Sequence, residues 1–129
     1  KVLVIGGPTA IGKSDFAAIR KSLSAGVTAL EEAVEYIVAV YGQDIKAASV
    51  GSVPFLKLLG IVAGGWQMGR TALVSARRLA EGGGDAAFYQ AKITTARFYA
   101  DHVLSQAPGL AYSVVNGASA ALALPEEMF

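Results

Sequence analysis

The chain reads as an all-α domain, an antiparallel helical bundle of about four helices at residues 16–129, preceded by a short P-loop-like segment at residues 1–15. Three observations give that reading. Apolar residues recur at steps of three and four from Phe16 to Tyr41, which places them on one face of a helix. A second long apolar stretch, Ser52 to Leu79, follows a glycine-serine reset, and Glu81-Gly-Gly-Gly84-Asp85 separates it from a third helical pattern. Only Val2 to Ile5 reads as a strand, and a single strand is not stable in water.

The first helix runs through Phe16, Ile19, Leu23, Val27, Leu30, Val34, Ile37 and Tyr41. Ser14 or Asp15 can cap its start and Gly42 can end it. That span is about 26 residues, or roughly 39 Å at the helical rise. A rival reading breaks at Ser24-Ala-Gly26 and restarts at Thr28, where Thr28 and Glu31 have capping-box spacing. Continuity is preferred, because the apolar face keeps its phase across Gly26. Glu31, Glu32 and Glu35 then form a solvated face and not a metal cluster, since no histidine accompanies them.

Asp44 can cap a short helical piece ending at Val50. Ser52 is a good N-cap for the second long helix, with Pro54 in its first turn, where a missing N–H does no harm. This helix, ending near Ala80, carries Gly60, Gly64, Gly65 and Gly69 in its interior. Each interior glycine costs about 1 kcal/mol relative to alanine, so something must gain from the missing side chains. The expected gain is close approach of a neighbouring helix or domain, which makes Gly60, Gly64, Gly65, Gly69 and Trp66 the candidate packing interface. Asp85 can cap a third helix over Ala86 to Gln106, with Tyr89, Ile93, Ala96, Ala100 and Val103 on one face. Arg97 and Asp101 have the spacing of an i,i+4 ion pair. Pro108-Gly109 opens a last helix, Leu110 to Leu124, which Pro125 stops.

Composition narrows the function classes. With 129 residues, 53% of them hydrophobic, the chain suits one domain with its own core. Eleven basic and ten acidic residues are interspersed for a net charge of +1, so no basic surface is advertised to nucleic acid. There is no cysteine, hence neither a disulfide framework nor a thiolate metal site, and the expected location is cytoplasmic. The most apolar window, Leu58 to Met68, is about half the ~20 residues that a spanning helix needs. His102 is the sole histidine; with no serine or cysteine partner at a defensible spacing, it is expected to be structural. No catalytic residue and no metal ligand is expected. The first residue is lysine, and the expectation is a piece of a longer protein or a processed product.

Gly7-Pro-Thr-Ala-Ile-Gly12-Lys13-Ser14 fits the spacing G-x-x-x-x-G-K-[ST]. Such a loop closes backbone N–H groups around phosphates, reaches the outer phosphates with its lysine and offers a hydroxyl to magnesium. Gly7, Gly12, Lys13 and Ser14 are therefore candidate nucleotide-binding residues for ATP or GTP. The motif also resembles the nucleotide loop of tRNA dimethylallyltransferases over about fifteen residues.

A broader resemblance rests on Ser52-Val-Pro-Phe-Leu, Ala63-Gly-Gly-Trp-Gln-Met, Phe88-Tyr-Gln-Ala-Lys-Ile-Thr-Thr-Ala-Arg-Phe-Tyr-Ala and Ala123-Leu-Pro-Glu-Glu-Met-Phe. These stretches, in this order, are similar to the extra C-terminal helical domain of bacterial acyl-CoA dehydrogenases, and the similarity runs from about Ile19 to Phe129. It implies a parent enzyme that uses FAD to remove two hydrogens from an acyl-CoA thioester, with its base and flavin contacts in other domains. What it implies for this chain is a non-catalytic structural or oligomerisation module without a cofactor of its own, packed on the dehydrogenase body or a second subunit. The alternatives are a P-loop nucleotide-binding protein and a stand-alone helical oligomer or adaptor.

Overall fold

The computed structural model describes residues 12–129, and every described element is helical. The expected strand at Val2 to Ile5 lies outside the described residues. The order is α1 (Lys13–Tyr41), α2 (Ile45–Val50), α3 (Ser52–Glu81), α4 (Ala86–His102), a 3₁₀ turn (Leu104–Gln106), α5 (Ala107–Asn116), α6 (Ala118–Ala121) and a final 3₁₀ turn (Glu126–Met128). The all-α expectation holds.

The helix α1 is continuous through Gly26, as its unbroken apolar phase predicts. A Cβ built at Gly26 would come 3.0 Å from Leu104 Cδ1 and 3.3 Å from Val62 Cγ2. The glycine is therefore retained for close approach, and the helix tolerates its cost. Neither Ser14 nor Asp15 caps the start. Gly12, at φ 99°, occupies the cap position, its carbonyl accepts from Phe16 N at 2.8 Å, and Asp15 turns to Arg97 instead.

Asp44 and Asp85 cap α2 and α4 as expected, accepting from Ala47 N and Phe88 N, each at 3.1 Å. Ser52 does not cap α3. It is the first helical residue, its hydroxyl donates to Ser49 O at 2.7 Å, and the cap position belongs to Gly51. A Cβ built at Gly51 would stand 3.4 Å from Val114, an ordinary contact, so the α2–α3 junction packs closely on α5 there. Gly82, at φ 76°, closes α3, in the left-handed conformation that glycine adopts without strain.

Two expected boundaries need correction. The third helix ends at His102 and not at Gln106. Pro108 has no N–H to continue the ladder, and its ring excludes the carbonyl four residues back. The chain accordingly tightens into a 3₁₀ turn that buries Leu104. The last helix starts at Ala107, three residues early, and is interrupted at Gly117 instead of running to Leu124.

Two core clusters hold the bundle. One gathers Ala29 and Ala33 of α1, Leu58 and Val62 of α3, Leu104, and Ala107, Ala111 and Val114 of α5. The other gathers Phe16 and Ile19 of α1, Ala72 of α3 and Ile93, Ala96 and Ala100 of α4. Early α1 thus meets late α3 and late α1 meets early α3, so these two helices run antiparallel. Alanine supplies half of each cluster, which lets helix axes approach closely.

Candidate docking surface

The glycines of α3 divide by position on the helix. Gly64 faces α4, where the phenol of Tyr99 fills the place that a side chain would take, and Tyr99 donates its hydroxyl to Ile61 O at 2.8 Å. Burial raises the Tyr99 pKa above the ordinary phenol value, because the anion would lose water. Gly65 faces Leu104, with a built Cβ 2.8 Å from Leu104 Cδ2, and Gly69 is buried. The close neighbours of Gly64 and Gly65 are elements of the same bundle. Gly60 is different, since nothing lies within 4 Å of its built Cβ. Trp66 is 54% exposed, with the Arg70 guanidinium 5.3 Å from its ring centroid.

Around Trp66 the exposed side of α3 is apolar, with Leu56, Leu59 and Val74 exposed, Leu56 at 70%. Val27, Val34 and Val38 of α1 are exposed as well. The sequence shows that apolar residues cover more than one side of α3. It does not show which side remains open, because that depends on where α4 and the Leu104 turn settle. Tyr99 and Leu104, the partners of the two inward glycines, carry no sequence signal that would single them out.

The other sites foreseen from sequence are dispersed. Gly7 lies outside the described residues, while Lys13 and Ser14 are exposed in the first turn of α1. The parallel sheet that supports a P-loop strand has no counterpart among the described residues. His102 is exposed and stacked on Phe98, ring centroids 4.3 Å apart. Arg97 donates to Asp101 at 2.9 Å and to Asp15 at 3.1 Å, tying α4 to the first turn of α1. The hydrogen bond from Arg97 to Asp101, aided by the carboxylate charge, holds the guanidinium pKa above its ordinary value. Among the described residues no three His, Cys, Asp or Glu side chains are grouped to hold a metal. An open groove of about 490 Å³ between α1, α2 and α5–α6 has one acid, Asp44, and that carboxylate already caps α2. A paired acid and base is therefore lacking there.

A helical bundle with an apolar outer surface and no assembled catalytic group among its described residues has many possible relatives, and comparison with known proteins decides between them. The family described as "Acetyl-CoA dehydrogenase C-terminal like" matches residues 5–125. The chain belongs to this family. The C-terminal domain of acyl-CoA dehydrogenases thus accounts for nearly its whole length, and the match runs through the whole of the Gly7–Ser14 motif. A curated protein, 3-methylmercaptopropionyl-CoA dehydrogenase of Ruegeria pomeroyi (strain ATCC 700808 / DSM 15171 / DSS-3), is 45% identical over 86 residues, which is 67% of this chain and 14% of that protein. The domain thus spans about a seventh of the length of the curated relative it matches. No solved structure matches. Among the described residues no helix of the domain is long and apolar enough to cross a membrane.

Proposed function

We propose that this chain is the non-catalytic structural or oligomerisation module of an FAD-dependent acyl-CoA dehydrogenase, acting in the cytoplasm and packed through the exposed apolar side of α3 on the dehydrogenase body or a second subunit. The observation that carries the proposal is the set Leu56, Leu59 and Trp66, which stays open although the bundle has closed its two cores. Large contiguous apolar surface marks interaction sites. The two open grooves offer a flavin diphosphate little charge: one is lined by Tyr36, Asn116 and Ser119 beside the acid Asp44, the other by Ser24 and Thr28 with Lys21 next to Glu32. FAD and the thioester chemistry accordingly belong to other parts of the parent enzyme, whose acyl substrate is a CoA thioester of the class named for the relative.

The test is the double change Leu56→Glu and Trp66→Glu in the dehydrogenase that carries this domain. Assembly, read by light scattering after gel filtration, and flavin retention, read by absorbance, are expected to fall together while the remaining loaded enzyme keeps its turnover per flavin. Intact assembly with lost turnover per flavin would mean that the domain takes part in the chemistry.

A further inference from the structure

We propose that the exposed apolar surface of the α1–α3 pair docks a second copy of the same surface, two-fold related and antiparallel, so that the acidic end of one domain meets the basic end of the other. This rests on the structural-module reading and names the partner of that surface.

The surface is shared by the two helices. At about 100° per residue, Trp66 and Leu59 lie roughly 160° and 140° around α3 from Gly64, the residue that meets α4. By the same count, Val34 and Val38 lie roughly 140° and 180° around α1 from Ala29, which lines a groove with Pro108 and Ala111 of α5. Each set is displaced from the α1–α3 contact in the same rotational sense, and the helices are antiparallel, so both sets fall on one side of the pair. The other side is covered by α4 and α5. Among the described residues nothing covers the first side, where Val38 is 72% exposed.

Charge on that side is polarised along the helix axes. Gly26 and Val62 mark a common level, where α1 and α3 touch. At about 1.5 Å per residue, Arg20 and Arg70 lie roughly 9 and 12 Å to one side of this level. Glu31 and Glu35 lie roughly 8 and 14 Å to the other side by the same measure. Arg77 extends the basic end as far as the exposed Glu81 at the end of α3, and Lys57, two residues from Leu59, is turned to the far side of α3. All four of Arg20, Glu31, Glu35 and Arg70 are exposed.

A two-fold axis through the Gly26–Val62 level and across the helices lays α1 on α1 of the copy, brings Arg20 opposite its Glu31, sets Arg70 on the adjacent helix near the level of its Glu35, and lays apolar centre on apolar centre. A two-fold interface must be complementary to itself, and few surfaces meet that condition in both charge and polarity. A parallel arrangement would lay α1 on α3 of the copy and set the basic end on the basic end, Arg20 beside Arg70, which is costly.

The experiment is sedimentation equilibrium of the full 129-residue chain, at low and high salt, with two double variants, Glu31→Lys/Glu35→Lys and Arg20→Glu/Arg70→Glu. The wild type is expected to dimerise, less tightly at high salt, because screening weakens exposed charge pairs. Each variant alone is expected to dimerise at least about tenfold more weakly, since like charges then face each other. Their equimolar mixture is expected to recover the wild-type affinity, because the heterodimer restores every plus-to-minus contact. The far-UV helical signal of each variant reports folding, and the wild-type salt series decides the matter if a variant unfolds. A wild type that stays monomeric, variants that dimerise unchanged, or a mixture that does not recover would each overturn the proposal. If it is overturned while Leu56→Glu/Trp66→Glu still dismantles the parent enzyme, the surface belongs to the dehydrogenase body and the module reading stands.

Discussion

Gly60 and Gly64 are one helical turn apart and do opposite things. At Gly60 the glycine accommodates nothing in the described structure, and it leaves the backbone of α3 freer in the unfolded chain. Gly60→Ala is expected to raise stability by about 0.5 to 1 kcal/mol, read as a higher urea midpoint with unchanged slope. At Gly64 the phenol of Tyr99 occupies the side-chain position and is held there by its bond to Ile61 O. Gly64→Leu is expected to cost about 1 to 3 kcal/mol or more through overpacking. Equal midpoints for the two variants would mean that Tyr99 can leave without loss. The spacing of the four glycines announced close packing, but not which neighbour packs. That neighbour is set by Tyr99, 35 residues downstream of Gly64, and a tyrosine on a helix flank looks the same whether it is buried or wet.

Elements were legible where local chemistry alone fixes them. Asp44 and Asp85 cap because a carboxylate placed three residues ahead reaches the free N–H of a first turn wherever the helix later packs. The length of α1 was legible because one apolar face persists through Gly26. Ser52 has good capping chemistry, but its hydroxyl donates back to Ser49 O and it enters α3 as the first helical residue, so the cap position falls to Gly51. The end of α4 is set by residues further along the chain. Val103, Leu104 and Gln106 continue a helical pattern acceptably, but Pro108 withdraws the ladder and the turn drives Leu104 between Gly26 and Gly65. Leu104 is 1% exposed and joins α1, α3 and α5 in one cluster. Leu104→Ala is expected to cost about 2 to 5 kcal/mol, measurable by denaturant unfolding, whereas truncating a side chain on the open surface should cost far less. A loss below about 1 kcal/mol would contradict the role of this turn as the central plug.

At the scale of the molecule, the family was legible from several short stretches spread over the chain, while the Gly7–Ser14 motif argued for a different chemistry. A phosphate loop works only when a sheet fixes the strand before it, and a motif of eight residues says nothing about that support. Lys13 and Ser14 begin a helix whose neighbours are all helices among the described residues. Magnesium with ATP or GTP is therefore expected to leave the melting temperature unchanged. A rise that Lys13→Ala abolishes would show that the loop holds nucleotide. The open surface was hidden for a related reason: exposure of Leu56 or Val38 is a property of the packed bundle and not of either helix.

Among the described residues, 10 of the 17 buried hydrophobic side chains are alanine, while Trp66, Phe88, Phe98 and many of the valines and leucines remain outside. An alanine removes little apolar area from water on folding, so much of the stabilisation available to this sequence is not collected when the bundle closes. It is collected when the outer side chains are covered. Folding and association are then linked equilibria: the measured stability of the domain depends on the concentration of whatever covers it, and dilution acts on it as a mild denaturant.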